Sequence, residues 1–342
     1  MANPIRKVMH RVDFAQQRTP FIAFPYAVMK KFGDDQAGML AALIAYYGFL
    51  SLFPLLLVLF TVLGLVAGND PSIQHKVTHS ALAEFPIIGN QLGSNIHSLN
   101  KSGPFALIVG LAGLLWGAQG VSQAGQYAMA EVWNVPMTER PSFFARLGRT
   151  MLLFGVMGFF LLVSTALAGF STFGAHTSSL GLPVKIGAGV VSVVVNIVMF
   201  LLAFRILTPK QIAFREFRAG AVIGGIVWTI FQAAGGYLVG HQLKTSSQVY
   251  GFFGIVLGLL WLIFMTAQIT LYAAEVNVVK YRRLWPRGLV QPPLTEADKR
   301  TMAALAQKET RIPEQDVDVD FETEEAQSRA GDGDRAGARR GR

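Results

Sequence analysis

The sequence predicts an all-α fold: a polytopic membrane protein with a bundle of six transmembrane helices, an N-terminal interfacial helix and a disordered C-terminal tail. Three observations lead there. Hydrophobic residues make up 52% of the 342 positions and charged residues only 15%, with a mean hydropathy of +0.41, whereas soluble domains carry about 25% charged residues. The apolar residues are gathered into runs long enough to cross a hydrocarbon core of ~30 Å, which takes about 20 helical residues. The basic residues between those runs also alternate in density from loop to loop. A soluble enzyme is excluded by the first observation, and a single anchor by the second.

Residues 1–36 form an expected cytoplasmic arm. Within it Phe21, Phe24, Val28 and Phe32 recur at near-helical spacing beside Lys30 and Lys31, the pattern of a helix lying in the membrane interface. The first apolar run begins near residue 37, too far into the chain and too long for the h-region of a cleavable signal. That run is therefore expected to act as the insertion signal.

Six segments form the expected transmembrane domain, residues 37–287: about 38–67, 104–130, 147–175, 184–206, 218–240 and 250–279. Arg6, Lys7, Arg11, Arg18, Lys30 and Lys31 precede the first. Arg140, Arg146 and Arg149 follow the second; Arg205, Lys210, Arg215 and Arg218 follow the fourth; Lys280, Arg282, Arg283 and Arg287 follow the sixth. The intervening loops hold only Lys76, Lys101, Lys185 and Lys244. By the positive-inside rule both termini of the multi-pass chain are expected in the cytoplasm.

The net charge of +9 divides unevenly. Up to Arg287 there are 21 basic and 9 acidic residues, a net +12, and beyond it 9 basic and 12 acidic, a net −3. The basicity thus records membrane orientation, and no aromatic and basic platform points to nucleic acid. Residues 288–342 contain Pro292, Pro293 and Pro313, an acidic run from Glu314 to Glu325 and the terminal Arg335, Arg339, Arg340 and Arg342. Such blocks bury too little apolar surface to offset ordering entropy, so the tail is expected to be disordered, residues 295–309 being its one helix-capable stretch.

Inside the spans, glycines at Gly113/Gly117, Gly220/Gly224, Gly236/Gly240 and Gly254/Gly258 allow close helix approach. Pro54 in the first span and the Gly224–Gly225 and Gly235–Gly236 pairs are expected weak points, with a kink at Pro54, which lacks the amide to bond Leu50. Polar side chains in lipid are costly unless they face one another or water. Gln119, Gln123 and Gln126 fall on one face of the second span. Tyr46, Tyr47, Ser51, Asn196, Gln232, Tyr250, Gln268 and Glu275 lie in the others, and together with Pro54 these twelve form the expected polar path. The competing reading is interhelical hydrogen bonding alone, worth ~0.6 kcal/mol per bond. Glu131 and Glu275 are the carboxylates of the spans; the sequence leaves a proton or cation relay open at either, with pairing to a nearby arginine the commoner arrangement at such depth.

Catalytic and cofactor motifs are weak, and neither enzyme activity nor a cofactor is expected. Without a cysteine, thiolate metal sites and cysteine nucleophiles are excluded. His75 and His79 have zinc-ligand spacing but lack the Glu of a metalloprotease helix. Ser122 has no histidine at its depth to serve as base, and there is no phosphate-binding Gly-Lys-Ser/Thr loop.

The run Ala41 to Tyr47, followed by Leu50-Ser51-Leu52-Phe53-Pro54, resembles the first-helix signature of the YihY/BrkB family of bacterial inner-membrane proteins. Arg140-Pro141-Ser142-Phe143, Gly220-Ala221 with Trp228, Phe231 and Tyr237, Tyr250-Gly251, Leu260-Trp261 and Ala274-Glu275-Val276-Asn277 extend the likeness over residues 30–285. It departs at Glu131, at Trp133-Asn134 and at Ala273. Family members have carried ribonuclease and virulence-factor labels. A nuclease needs clustered metal ligands facing the cytoplasm, whereas every histidine but His10 falls in an expected outer loop or outer helix end. The resemblance implies movement of an envelope lipid or lipid-linked precursor, with membrane lipids as partners. The alternative is a non-transporting scaffold that recruits partners through its tail.

Overall fold

A computed structural model describes residues 4–67, 103–175, 181–209, 212–232, 234 and 252–321. The described secondary structure is helical: α1 (Pro4–Arg18), α2 (Pro20–Asp34), α3 (Ala37–Ala67), α4 (Gly103–Val132), α5 (Phe143–Ala175), α6 (Gly181–Leu207), α7 (218–232), α8 (Phe252–Tyr281) and α9 (Glu296–Lys308), with 3-10 turns at Met137–Glu139 and Phe214–Phe217. This is an all-α polytopic membrane protein. Five of these helices hold stretches long and apolar enough to span a bilayer: Ala37–Leu55, Leu107–Val132, Phe143–Phe160, Gly189–Leu207 and Val256–Tyr281. The expected fifth span is helical through 218–232, and its remainder lies outside the described residues.

The spans turn apolar side chains outward. Phe105, Trp116, Phe159, Ile230 and Phe253 are each more than half exposed, which in water would be costly and in lipid is the favoured arrangement. The core sits instead at the end of the bundle where the basic segments gather. There Met129, Trp133, Phe204, Phe217 and Leu271 are buried together, with the Trp133 and Phe217 rings 5.7 Å apart and edge to face.

Small residues set the helix spacing. Along α4, Gly110, Gly113, Gly117 and Gly120 face Val58, Pro54, Ser51 and Tyr47 of α3, and a methyl at Gly117 would come within 3.0 Å of the Ser51 backbone. A side chain there would push the helices apart. Pro54 does not end α3: the helical backbone continues to Ala67 with Pro54 against Gly113. On α7, a methyl at Gly220 would overlap the Ala273 carbonyl and Asn277 of α8, and one at Gly225 would lie 2.8 Å from the Ile197 amide nitrogen of α6. The Gly224–Gly225 pair is therefore a packing surface within an unbroken helix. Gly235, Gly236 and Gly240 lie outside the described residues.

Two expectations for the ends of the chain need correction. The arm contains two helices, and α2 buries Val28 and Phe32 against the bundle rather than presenting them to the interface. Phe32 stacks on Tyr272 of α8 at 3.9 Å and Phe24 meets Trp285 edge to face, while Phe21 is 92% exposed. Sequence periodicity could not separate lipid from protein as the apolar partner. Residues 288–308, expected within a disordered tail, fold back onto α1 and α2, because Asp298 offers a buried carboxylate that several donors converge on. Thr295 and Asp298 also form a capping box that starts α9. The terminal arginine cluster lies outside the described residues.

Candidate functional site

The polar residues expected to line one path divide into separate groups. On α3, Ser51 Oγ donates to the Gly48 carbonyl at 2.7 Å, and Tyr47 packs against Gly120. Tyr46 is exposed and meets Tyr47 edge to face. Between α4 and α5, Gln126 Nε2 donates to Ser122 Oγ (3.1 Å) and to the Arg146 carbonyl (3.3 Å), and Thr150 Oγ1 donates to Ser122 Oγ at 2.9 Å. Ser122 is thus held in a helix-to-helix knot. Between α6 and α7, Asn196 Nδ2 donates to Thr229 Oγ1 (2.9 Å) and Gln232 Oε1 (3.2 Å). Among the described residues no hydrogen bond joins these groups; Gln126, Asn196 and Gln232 tie one helix to the next, and the bond of Ser51 stays within α3. Gln123 and Gln268 are half-buried, and both amide atoms of Gln119 are buried without a hydrogen-bond partner. Tyr250, His75 and His79 lie outside the described residues.

Glu275 is different. It is fully buried in α8, and the nearest cation is Lys31 of α2, with Nζ 3.8 Å from Glu275 Oε2. Lys31 is itself fully buried, in direct contact with Asp35 and donating to the Val132 carbonyl at 3.2 Å. That carbonyl belongs to the C-terminal turn of α4, where the helix dipole favours a cation. Asn134 closes the group. It holds a left-handed backbone (φ 49°) just past α4, a position Asn tolerates, and its Nδ2 donates to Asp35 Oδ1 at 3.3 Å and to the Glu131 carbonyl at 3.2 Å. Asn277, two residues beyond Glu275, accepts the Gly220 amide at 2.6 Å, satisfying a donor at the start of α7. The helices α2, α3, α4 and α8 therefore meet around Lys31, Asp35 and Glu275. The expected arginine partner holds for Glu131, which contacts Arg140 at 2.8 Å and also Lys308 at 2.7 Å, but Glu275 has a lysine beside it.

A second ionic knot lies next to the first. Asp298 accepts from Arg287 Nε (2.6 Å), Lys30 Nζ (3.0 Å), the Gly288 amide (3.0 Å) and Thr295 Oγ1 (2.8 Å). Burial alone would raise this carboxyl, but the hydrogen bonds from Arg287, Gly288, Thr295 and Lys30 outweigh it and hold it well below the usual carboxylate range. Arg287 reaches Asp34 at 2.9 Å, and Lys30 donates to the Gly288 carbonyl at 2.7 Å. Asp13 of α1 accepts the Leu289 amide at 2.9 Å. The helices α1, α2 and α9 and the described residues after α4, α6 and α8 thus lie at one end of the bundle.

Sequence reasoning singled out Glu275 but missed Lys31, Asp34, Asp35, Asn134, Arg287 and Asp298. One signal was present: Lys31 and Asp35 are spaced i, i+4 and border an apolar span, where a solvated pair would serve no purpose.

The fold and these clusters define the class: an integral membrane protein whose helices carry a buried ionic cluster at their basic end. The chain belongs to the Virulence factor BrkB family, whose match covers residues 28–293. It is 23% identical over 287 residues to the inner membrane protein YhjD of Escherichia coli (strain K12), covering 78% of this chain and 83% of that one. No solved structure matches it. The matched residues include Lys31, Asp35 and Glu275 and extend past Arg287.

Proposed function

We propose that this chain is a non-enzymatic transporter, or flippase-like protein, that moves an amphipathic envelope component, a lipid or lipid-linked precursor, across the bacterial inner membrane, with both termini in the cytoplasm. The observation that carries this reading is the fully buried Lys31, Asp35 and Glu275 group where α2, α3, α4 and α8 meet. Ionisable groups buried among spanning helices are expensive, and a hydrophobic replacement of a buried ion pair is often as stable or more so. Their presence fits working machinery better than a structural tie. Gln119, with an unpartnered amide on the α4 face, supports a polar lining that helix packing does not consume. The relative's inner-membrane placement and the basic ends of the helices support the location and orientation.

Reconstitution into vesicles with a fluorescent short-chain lipid and a lipid-linked sugar tests this. Native protein moves at least one of the two between leaflets, and Glu275→Gln reduces that rate at least about tenfold. Movement of neither by native protein overturns the reading.

A scaffold role is favoured by one observation: residues 309–321 leave α9 exposed and carry Glu309, Glu314, Asp316, Asp318 and Asp320. Deleting residues 309–342 abolishes cellular function under that reading and leaves it nearly unchanged under transport.

A further inference from the structure

We propose that Glu275 and Asp35 form a proton-binding site, in which two buried carboxylates share one ammonium and one exchangeable proton. The charge count starts the argument. Lys31 supplies one positive charge to two carboxylates, and all three side chains have no solvent exposure. Lys31 is committed to Asp35 and the Val132 carbonyl, and at 3.8 Å its contact with Glu275 is longer than a hydrogen bond. Neither Glu275 oxygen has a hydrogen-bond partner. A carboxylate left ionised there would carry the full cost of burial without compensation, and such a group neutralises instead.

Asn134 is an independent pointer to the same ligand. It is 6% exposed and turned toward the group by its bond to Asp35, yet its Oδ1 is buried and unpartnered. That atom is a buried acceptor left open on the residue that holds Asp35, and a protonated carboxyl group is a donor of the kind it lacks. A metal cation fits less well, because the Lys31 ammonium already stands between the carboxylates.

The surrounding charges do not supply the missing positive charge. Asp34, the remaining carboxylate from α2, faces Arg287. Glu131 at the end of α4 is taken by Arg140 and Lys308. The 3-10 turn before α7 places Arg215 and Glu216 beside Tyr281, and Arg282, just past α8, feels the charges of Asp35 and Glu216 without an ion pair to either among the described residues.

Proton uptake forms one O–H bond on Glu275 as hydronium from the basic end is converted to water, and release reverses it. Ionised Glu275 draws Lys31 Nζ toward α8 and away from Asp35 and the Val132 carbonyl. The proton thus selects whether Lys31 ties α2 to α4 or to α8. The use of that switch for coupling rests on the transport reading; the binding of the proton does not.

Infrared titration of the full-length chain in detergent, from about pH 5 to about pH 9, reads the proton directly. The expected result is a carbonyl band of a buried protonated carboxyl group near neutral pH, absent from Glu275→Gln. In Asp35→Asn the ammonium is left to Glu275 alone, so the same band titrates at lower pH, by at least about one unit or tenfold in proton affinity. Both variants are nearly isosteric, and a monodisperse elution profile confirms that they fold. Absence of the band from native protein, its persistence in Glu275→Gln, or its removal by Na+ at fixed pH overturns the proposal. The transport assay on the same samples separates the two readings. A band without lipid movement defeats the transporter alone, and lipid movement without a band defeats the proton site alone.

Discussion

Lys31 Nζ sits against Asp35, the Val132 carbonyl and Glu275 with no solvent contact, so its removal leaves a buried negative charge uncompensated. Lys31→Met is expected to destabilise the protein by ~3–5 kcal/mol, the range for breaking a buried ion pair from one side. Thermal unfolding in detergent measures it, and adding Asp35→Asn and Glu275→Gln to Lys31→Met should restore much of the loss; no restoration would contradict the charge argument. Asp298 gives a pH dependence of defined sign. Its folded carboxyl lies below its unfolded value, so its contribution is complete above the ordinary ~3.9 and is lost only as pH falls through its own lower value. Residues 288–308 should therefore resist protease at about pH 5 as well as at neutrality, whereas Asp298→Asn opens them at both. Early cleavage of the native chain at about pH 5 would refute this.

At the scale of elements, the close α3–α4 and α7–α8 contacts rest on glycines, and across the second the Gly220 amide also donates to Asn277. Gly120→Leu must displace the Tyr47 ring, whose nearest atom lies 2.5 Å from where its Cβ would be, while Gly155→Leu meets nothing within 4 Å of its Cβ. The first is expected to lower the unfolding temperature and the yield of folded protein, and the second to change neither. Equal behaviour of the two would remove the packing account. Deleting residues 309–342 should leave stability unchanged, because the contacts that hold α9 end at Lys308. Deleting from residue 288 removes Asp298 and releases Lys30 and Arg287, and is expected to destabilise the basic end.

At the scale of the whole molecule, α1, α2 and α9 and the described residues after α4, α6 and α8 are gathered at one end, together with most of the basic residues described up to Arg287. The chain has no cysteine, so single cysteines report topology without background. Ala213→Cys and Ser142→Cys are expected to react with a membrane-impermeant maleimide only after cells are opened, and Ser80→Cys in intact cells. The reverse pattern would invert the orientation.

The sequence by itself determined the all-α class, the spans and the grouping of basic loops, because a bilayer enforces continuous apolar runs that leave a record in composition. It also carried the glycine spacing, since close helix approach depends on local side-chain size. Only the tertiary structure decided which polar residues meet. Gln126, Asn196 and Gln232 look like members of one path in sequence, yet each is bonded to a neighbouring helix. Lys31 and Asp298 look like solvated loop charges, yet both are buried, because their partners Glu275 and Lys30 lie more than 240 positions away in the chain. Periodicity records which face of a helix is apolar; it cannot record whether lipid or another helix covers that face, and the ionic cluster exists only where helices distant in sequence close over the same charges.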